Sequence, residues 1–419
     1  MTPPQISFPA GGRTAGALAL RLSLGFLASP SLAAPWVQTT SLPDTYVGQS
    51  LVCASNYLYQ AGGYSGNNGI VDGTNVFYAQ VHSDGTIGNW NSTTSLPVAV
   101  ANHAGVAANG FVYVLGGDQY DPTDGVFTSS NIYFAKINSD ATLGSWQTAN
   151  PLPSALDFLS ASVWNNRIYV VGGDGTAQVN TVYSATIQSN GSLSAWTAQA
   201  PLPVANYTQA DAANGFLYVL GGAINDGALI VNTVYYSKIN PDGTLAGWSQ
   251  TTPLPQSETQ FGAIAANGFV FSIAGYNGYA PTSSYYFAAA NGDGTLGSWS
   301  SGTSYPVPLY WHAAANNSSF IFVSGGANEV ETYDTVYSMA LPAPPVVPTL
   351  VARSFTNGNF QFQLASSTNT GFSLLASTNL TAWTPLGWGF TGTNGTLSFT
   401  DTNAAHFPRR FYRAYWPLP

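Results

Sequence analysis

The chain of 419 residues carries 18 acidic and 9 basic residues, 14% aromatics, 44 Gly and 26 Pro, and only 6% of it is charged. With two Lys and three Glu it lacks the residues that long helices favour, while its Asn, Ser, Thr and Gly suit turns and strand edges, so an all-β chain is predicted. A net charge of −9 argues against a phosphate-backbone partner, and a single cysteine, Cys53, excludes an intramolecular disulfide.

Residues 1–33 read as an export signal. Arg13 and Arg21 supply positive charge, an apolar stretch follows at 22–28, and Ser31-Leu32-Ala33 is a small-x-Ala cleavage pattern. A secreted or cell-surface protein is expected, as a monomer and without nucleic-acid partners. No later stretch offers the roughly 18 uninterrupted apolar residues of a membrane span.

From 34 to 342 the chain repeats. Tryptophans stand at 36, 90, 146, 196, 248 and 299, roughly fifty residues apart. Between them recur Gly62-Gly63, Gly116-Gly117, Gly172-Gly173, Gly221-Gly222, Ala274-Gly275 and Gly325-Gly326. One unit predicts four strands: 209–213, an Asn214-Gly215 hairpin turn, 216–220 ending at the glycines, 234–239, and a last strand bearing Trp248. Cys53 falls where sister units carry Ala or Val and is expected to be a small core residue. The sixth unit, 310–339, has no Trp after it, whereas residues 36–40 are a spare strand with one. Pairing the two would cover an otherwise open edge.

These marks resemble the kelch family. Tyr-Val-x-Gly-Gly, an aromatic strand, then Trp and Leu-Pro recur in register, with His103 and His312 at a position where kelch repeats often carry His. The resemblance covers about three-quarters of the chain and implies a six-bladed β-propeller over 34–342, closed by the N-terminal strand. A proline-rich linker follows at 343–348. Residues 349–419 alternate apolar and polar, as in Phe360-Gln361-Phe362-Gln363-Leu364, which predicts an immunoglobulin- or fibronectin-like β-sandwich.

In such a blade the loops after Leu-Pro and after Gly-Gly share one face, and here they vary while the opposite hairpins repeat. Variable loops on a constant scaffold are the usual setting for binding. The candidates there are Asp44, Tyr46, Asp118, Tyr120, Asp157, Asp174, Tyr207, Glu258, Tyr276, Tyr310 and Trp311. Acids beside exposed aromatics suit a carbohydrate or a protein ligand. Asp118, Asp121 and Asp124 are the only spacing that suggests a metal, Ca²⁺.

No reaction is legible, and a non-catalytic binding module is the leading expectation. The alternative is a carbohydrate-active hydrolase or lyase using acids such as Asp157, Asp174 and Glu258. A sialidase-like site needs an arginine cluster, and the repeats hold only Arg167. A copper-radical oxidase, which resembles this chain in pairing a kelch propeller with a C-terminal sandwich, is a remote third. It would have to draw its ligands from His82, His103, His312, His406 and Cys53.

Overall fold

Apolar residues in runs of five or so, punctuated by Asn-Gly and Gly-Gly, dictate short strands joined by tight turns. The computed structural model describes residues 34–65, 73–121, 123, 125–341, 349–356, 359–366, 371–379, 383–390 and 394–415. The signal expected at 1–33 and the linker expected at 343–348 lie outside these. Among the described residues the chain is all-β, in antiparallel sheets, with one 3-10 turn at Ala404–His406. No helix of the described residues is long and apolar enough to cross a membrane. The chain divides into two compact units, one made of Ser31–Ala288 and Gly294–Ala343, the other including Pro344–Pro419.

Among its described residues the larger unit holds six sheets of one plan. In the fourth, Tyr207–Ala213 pairs with Phe216–Ile224, then come Val234–Lys238 and Ser249–Thr251. Asn214 and Gly215 make the hairpin turn with φ of 54° and 83°, the left-handed values that a two-residue turn of this type needs. The second strand runs past the glycines to Ile224, further than the sequence suggests, because Leu229–Ile230 pairs with its end. Gly222 allows this: a Cβ there would lie 2.1 Å from the Tyr207 carbonyl oxygen.

The first strands of the six sheets are Ser50–Ala54, Ala104–Ala108, Ser160–Trp164, Tyr207–Ala213, Gly262–Ala266 and Ala313–Asn316. Each touches the next, and the sixth touches the first. Together they wall one central cavity of about 350 Å³. The sixth sheet takes its outer strand from the start of the chain: Val37 stands opposite Ser338 and Gln38 opposite Tyr337.

The tryptophans stand just before the outer strands, not on them, and their role is to join sheets. Trp90, Trp146, Trp196, Trp248 and Trp299 each donate the indole N–H, at 2.8–3.0 Å, to a carbonyl in the preceding sheet's outer segment, those of Thr40, Thr94, Asn150, Ala200 and Thr252. Trp36 makes the sixth such bond, 3.0 Å to Thr303. Cys53 packs half-buried against the core of the first sheet, and burial pushes its thiol up to about 11.

In the smaller unit, two three-stranded sheets share one core. Thr349–Thr356, Asn359–Ala365 and Thr396–Asp401 form one; Thr384–Phe390, Gly371–Ser377 and Phe411–Tyr415 form the other. Leu350, Phe360, Phe362, Leu364, Leu374 and Tyr412 pack between them. Asp401 is buried there and accepts from Arg410 and from the Tyr412 hydroxyl.

Candidate functional site

The cavity opens between the starts of the first strands, and a recurring backbone device builds its mouth. In each sheet the residue just before the mouth pairs with the residue just after the glycine pair. The pairs are Val47 with Tyr64, Ala101 with Asp118, Asp157 with Asp174, Tyr207 with Ala223, Thr259 with Tyr276, and Tyr310 with Ala327. The next residue along is Gly48, Asn102, Phe158, Gln260 or Trp311, each at a φ between 45° and 65°. These N–H groups run round the mouth: Asn102 to the Gly48 carbonyl at 2.8 Å, Phe158 to Asn102 at 2.9 Å, Gly48 to Trp311 and Trp311 to Gln260 at 3.2 Å. In the fourth sheet a bulge at Thr208 takes this place. Left-handed backbone at bulky Phe158 and Trp311 is costly, and such strain clusters at binding sites.

The two rim positions hold most of the candidate residues. Asp118 and Asp157 sit within hydrogen-bonding reach of one another, and Asp174 is close enough to act on Asp157 by its charge. Burial first, then the neighbouring Asp118 carboxyl, pushes Asp157 up to about 8. Two carboxylates cannot satisfy each other, so Asp157 holds its proton into the neutral range. Asp118 also accepts from Asn102 at 2.9 Å and from the Tyr64 hydroxyl at 3.4 Å. Asp174 accepts from the Tyr207 hydroxyl at 3.0 Å. Burial, reinforced by these acids, pushes both tyrosines up to about 12, so they remain donors.

Aromatic rings complete the mouth. Phe158 lies 5.8 Å from Tyr207; Tyr276 meets Tyr310 edge-on at 5.8 Å, and Tyr310 meets Trp311 at 5.0 Å. The Trp311 indole N–H and one oxygen of Asp157 are buried without a hydrogen-bond partner. Deeper in the cavity wall stand His103, bonded to the Ser50 hydroxyl at 2.8 Å, and His312; burial pushes both down to about 4, so they are neutral. Below them Asp211 accepts from Ser162 and from the N–H groups of Ala212 and Ala265.

Other candidates lie elsewhere. Tyr46 is buried in the core beside Phe77, with ring centroids 6.3 Å apart. Glu258 is fully buried and accepts from Gln256, Ser272 and Ser284; burial raises its carboxyl and these donors offset part of that. Its partners are interior hydroxyls and an amide, not the acids of the mouth. Asp44 is exposed and bonds its neighbour's N–H; Tyr120 is exposed on a hairpin of Asp118–Asp121 with Gly125–Thr128. For the calcium expectation, Asp124 and the Asp121 side chain lie outside the described residues. Among the described residues no three of His, Cys, Asp and Glu gather as a metal site. Sequence reasoning missed Tyr64, Asn102, Phe158 and Asp211. The signal for Tyr64 was present, since it follows Gly63 just as Asp118 follows Gly117.

The carboxyl pair has a thermodynamic signature. An acid whose folded pKa is raised binds an extra proton in the folded state between the ordinary carboxyl range and about 8. Its contribution to stability therefore falls as pH rises through that window. Asp157→Asn, which needs no proton, is expected to stabilise the chain at pH 8–9 by about 1–2 kcal/mol, after discounting for solvent reaching the pair. Melting curves of the two proteins should converge towards about pH 4.

Neither a family model nor a curated protein matches the chain. Among solved structures it is similar to one described as "Structure of YjhT", with a TM-score of 0.57 at 12% identity, covering 78% of this chain and 99% of that one. At that identity the likeness concerns the fold alone.

Proposed function

We propose that residues 34–342 are a six-bladed β-propeller of kelch type, closed by the N-terminal strand and followed, after a linker at 343–348, by a β-sandwich module at 349–419. The protein is exported, and it is a non-catalytic binding module whose carbohydrate or protein ligand sits at the cavity mouth. The observation that carries this is that Asn102, Phe158, Tyr207 and Trp311 line one opening, with Asp118 bonded to Asn102, Asp157 next to Phe158, and polar atoms of Asp157 and Trp311 left unbonded.

Binding is favoured over glycoside hydrolysis by the carboxyl geometry. Retaining and inverting enzymes hold their two carboxyls about 5–5.5 Å or about 6.5–9.5 Å apart, leaving room for the sugar or for water. Asp118 acts on Asp157 at hydrogen-bonding range, closer than either arrangement, and Asp174 is committed to the Tyr207 hydroxyl. Glu258 is committed to interior donors.

The test is a glycan- and peptide-array screen of the full chain, coupled to an assay for released reducing sugar. Binding is expected without sugar release, and Trp311→Ala should weaken it by roughly tenfold or more. Sugar release, or binding indifferent to Trp311→Ala, would overturn the proposal.

A further inference from the structure

The charges of the larger unit are segregated by end. The first strands run side by side in one direction, as the bonds of Ala210 and Ala212 to Ser160 and Ser162 require. All loops before them and all loops after the glycine pairs therefore emerge at the mouth end. Among the described residues those loops contain no Lys and no Arg. They contain buried Asp118, half-buried Asp157 and Asp174 and, exposed to solvent, Asp44, Asp226, Glu329 and Glu331. The unit's basic residues, Lys136, Arg167 and Lys238, lie at the ends of strands that turn at the opposite end. There they are mixed with Asp84, Asp140 and Asp242, whose carboxyls cap their own hairpin turns by accepting from Thr86, Thr142 and Thr244.

The mouth end also exposes apolar side chains on four separate loops. Tyr279 and Val330 are each 90% exposed, and Tyr120, Phe127 and Leu229 are each at least two-fifths exposed. A small ion could not reach this spread of loop tips; a polypeptide can. Round the opening Trp311 packs against Tyr310 and Phe158 against Tyr207, and one oxygen of Asp157 is unbonded; aromatic rings and a carboxyl oxygen are what an ammonium or guanidinium group seeks. The free indole N–H of Trp311 is a donor for a backbone carbonyl.

Building on the binding role proposed above, we infer that the mouth face docks a basic polypeptide segment, with a Lys or Arg side chain entering the rim between Asp118, Asp157, Asp174 and Trp311 and apolar side chains meeting the loop tips. Charge complementarity selects the partner's sign, and the scatter of apolar tips selects its size.

The test uses the full chain and a fluorescent peptide of about twelve residues alternating Lys and Arg with Leu and Tyr, with an acidic counterpart and neutral oligosaccharides alongside. The basic peptide should bind, and raising salt from about 0.05 M to about 0.3 M should weaken it roughly tenfold. Asp174→Asn and Trp311→Ala should each weaken it by about tenfold, while Asp140→Asn, at the opposite end, should leave it unchanged. Circular dichroism melts establish that each variant is folded. Failure of the basic peptide to bind, or equal binding of the acidic one, would overturn the inference. Binding of a neutral oligosaccharide instead, lost in Trp311→Ala, would also overturn it while leaving the mouth as the ligand site.

Discussion

Trp36→Ala is expected to destabilise the larger unit by about 4–5 kcal/mol, as much as a core tryptophan truncation anywhere in the chain. Trp36 is 8% exposed, packs edge-on against Tyr305 at 5.0 Å and Tyr285 at 5.6 Å, and donates to the Thr303 carbonyl. Four of its counterparts join sheets that are neighbours in sequence, and Trp90 joins the first sheet to the sixth through Thr40. Trp36 alone joins the start of the chain to residues near 300, so it carries the long-range closure. Deleting residues 34–40 should go further, exposing the edge of Val336–Ala340 and causing association of the freed edges. Guanidinium unfolding of Trp36→Ala and Trp248→Ala compares the two cases. A cost for Trp36→Ala below about 1 kcal/mol would mean that the ends of the repeat array are not held together by this strand.

Asp211→Ala should cost about 3 kcal/mol. One carboxylate bridges three sheets: it accepts from the Ser162 hydroxyl at 2.7 Å in the third, from its own neighbour Ala212 at 2.8 Å in the fourth, and from the Ala265 N–H at 2.8 Å in the fifth. Truncation strands the Ser162 and Ala265 donors against the cavity wall. Burial raises the carboxyl and the three donors offset part of that shift. Asp211→Asn keeps one acceptor but turns its amide towards an N–H, so its loss should be about half as large. Equal losses for the two variants, read from denaturant midpoints, would contradict the bridging role.

Much of the architecture is legible because repetition multiplies weak signals. A single Gly-Gly means little, but six in register with six tryptophans define the units and identify residues 36–40 as a spare strand. The precise role of the tryptophans is not legible, because an indole bond to the preceding sheet depends on how neighbouring sheets stack. The site is legible only as a set of loops. Residue type cannot separate Tyr46, which turns into the core, from Tyr207, which turns to the rim; that depends on which side of a short backbone pairing each falls. Glu258 looks like a loop acid, yet the hydroxyls of Ser272 and Ser284 draw it inside. Asp211 sits in an alternating strand and acquires its role from residues about fifty positions away on either side, which no local pattern reveals.

The packing of acids at the mouth underlies both the binding role and the choice of a basic partner. It is tested most directly by carbon-13 NMR titration of the aspartate carboxyls in the wild type and in Asp157→Asn. One wild-type carboxyl should titrate near 8, and that transition should vanish in the variant. If every aspartate in contact with solvent titrates in the ordinary range near 4, and the variant merely removes one such transition, then Asp157 is not held against Asp118 and the mouth is not assembled as described.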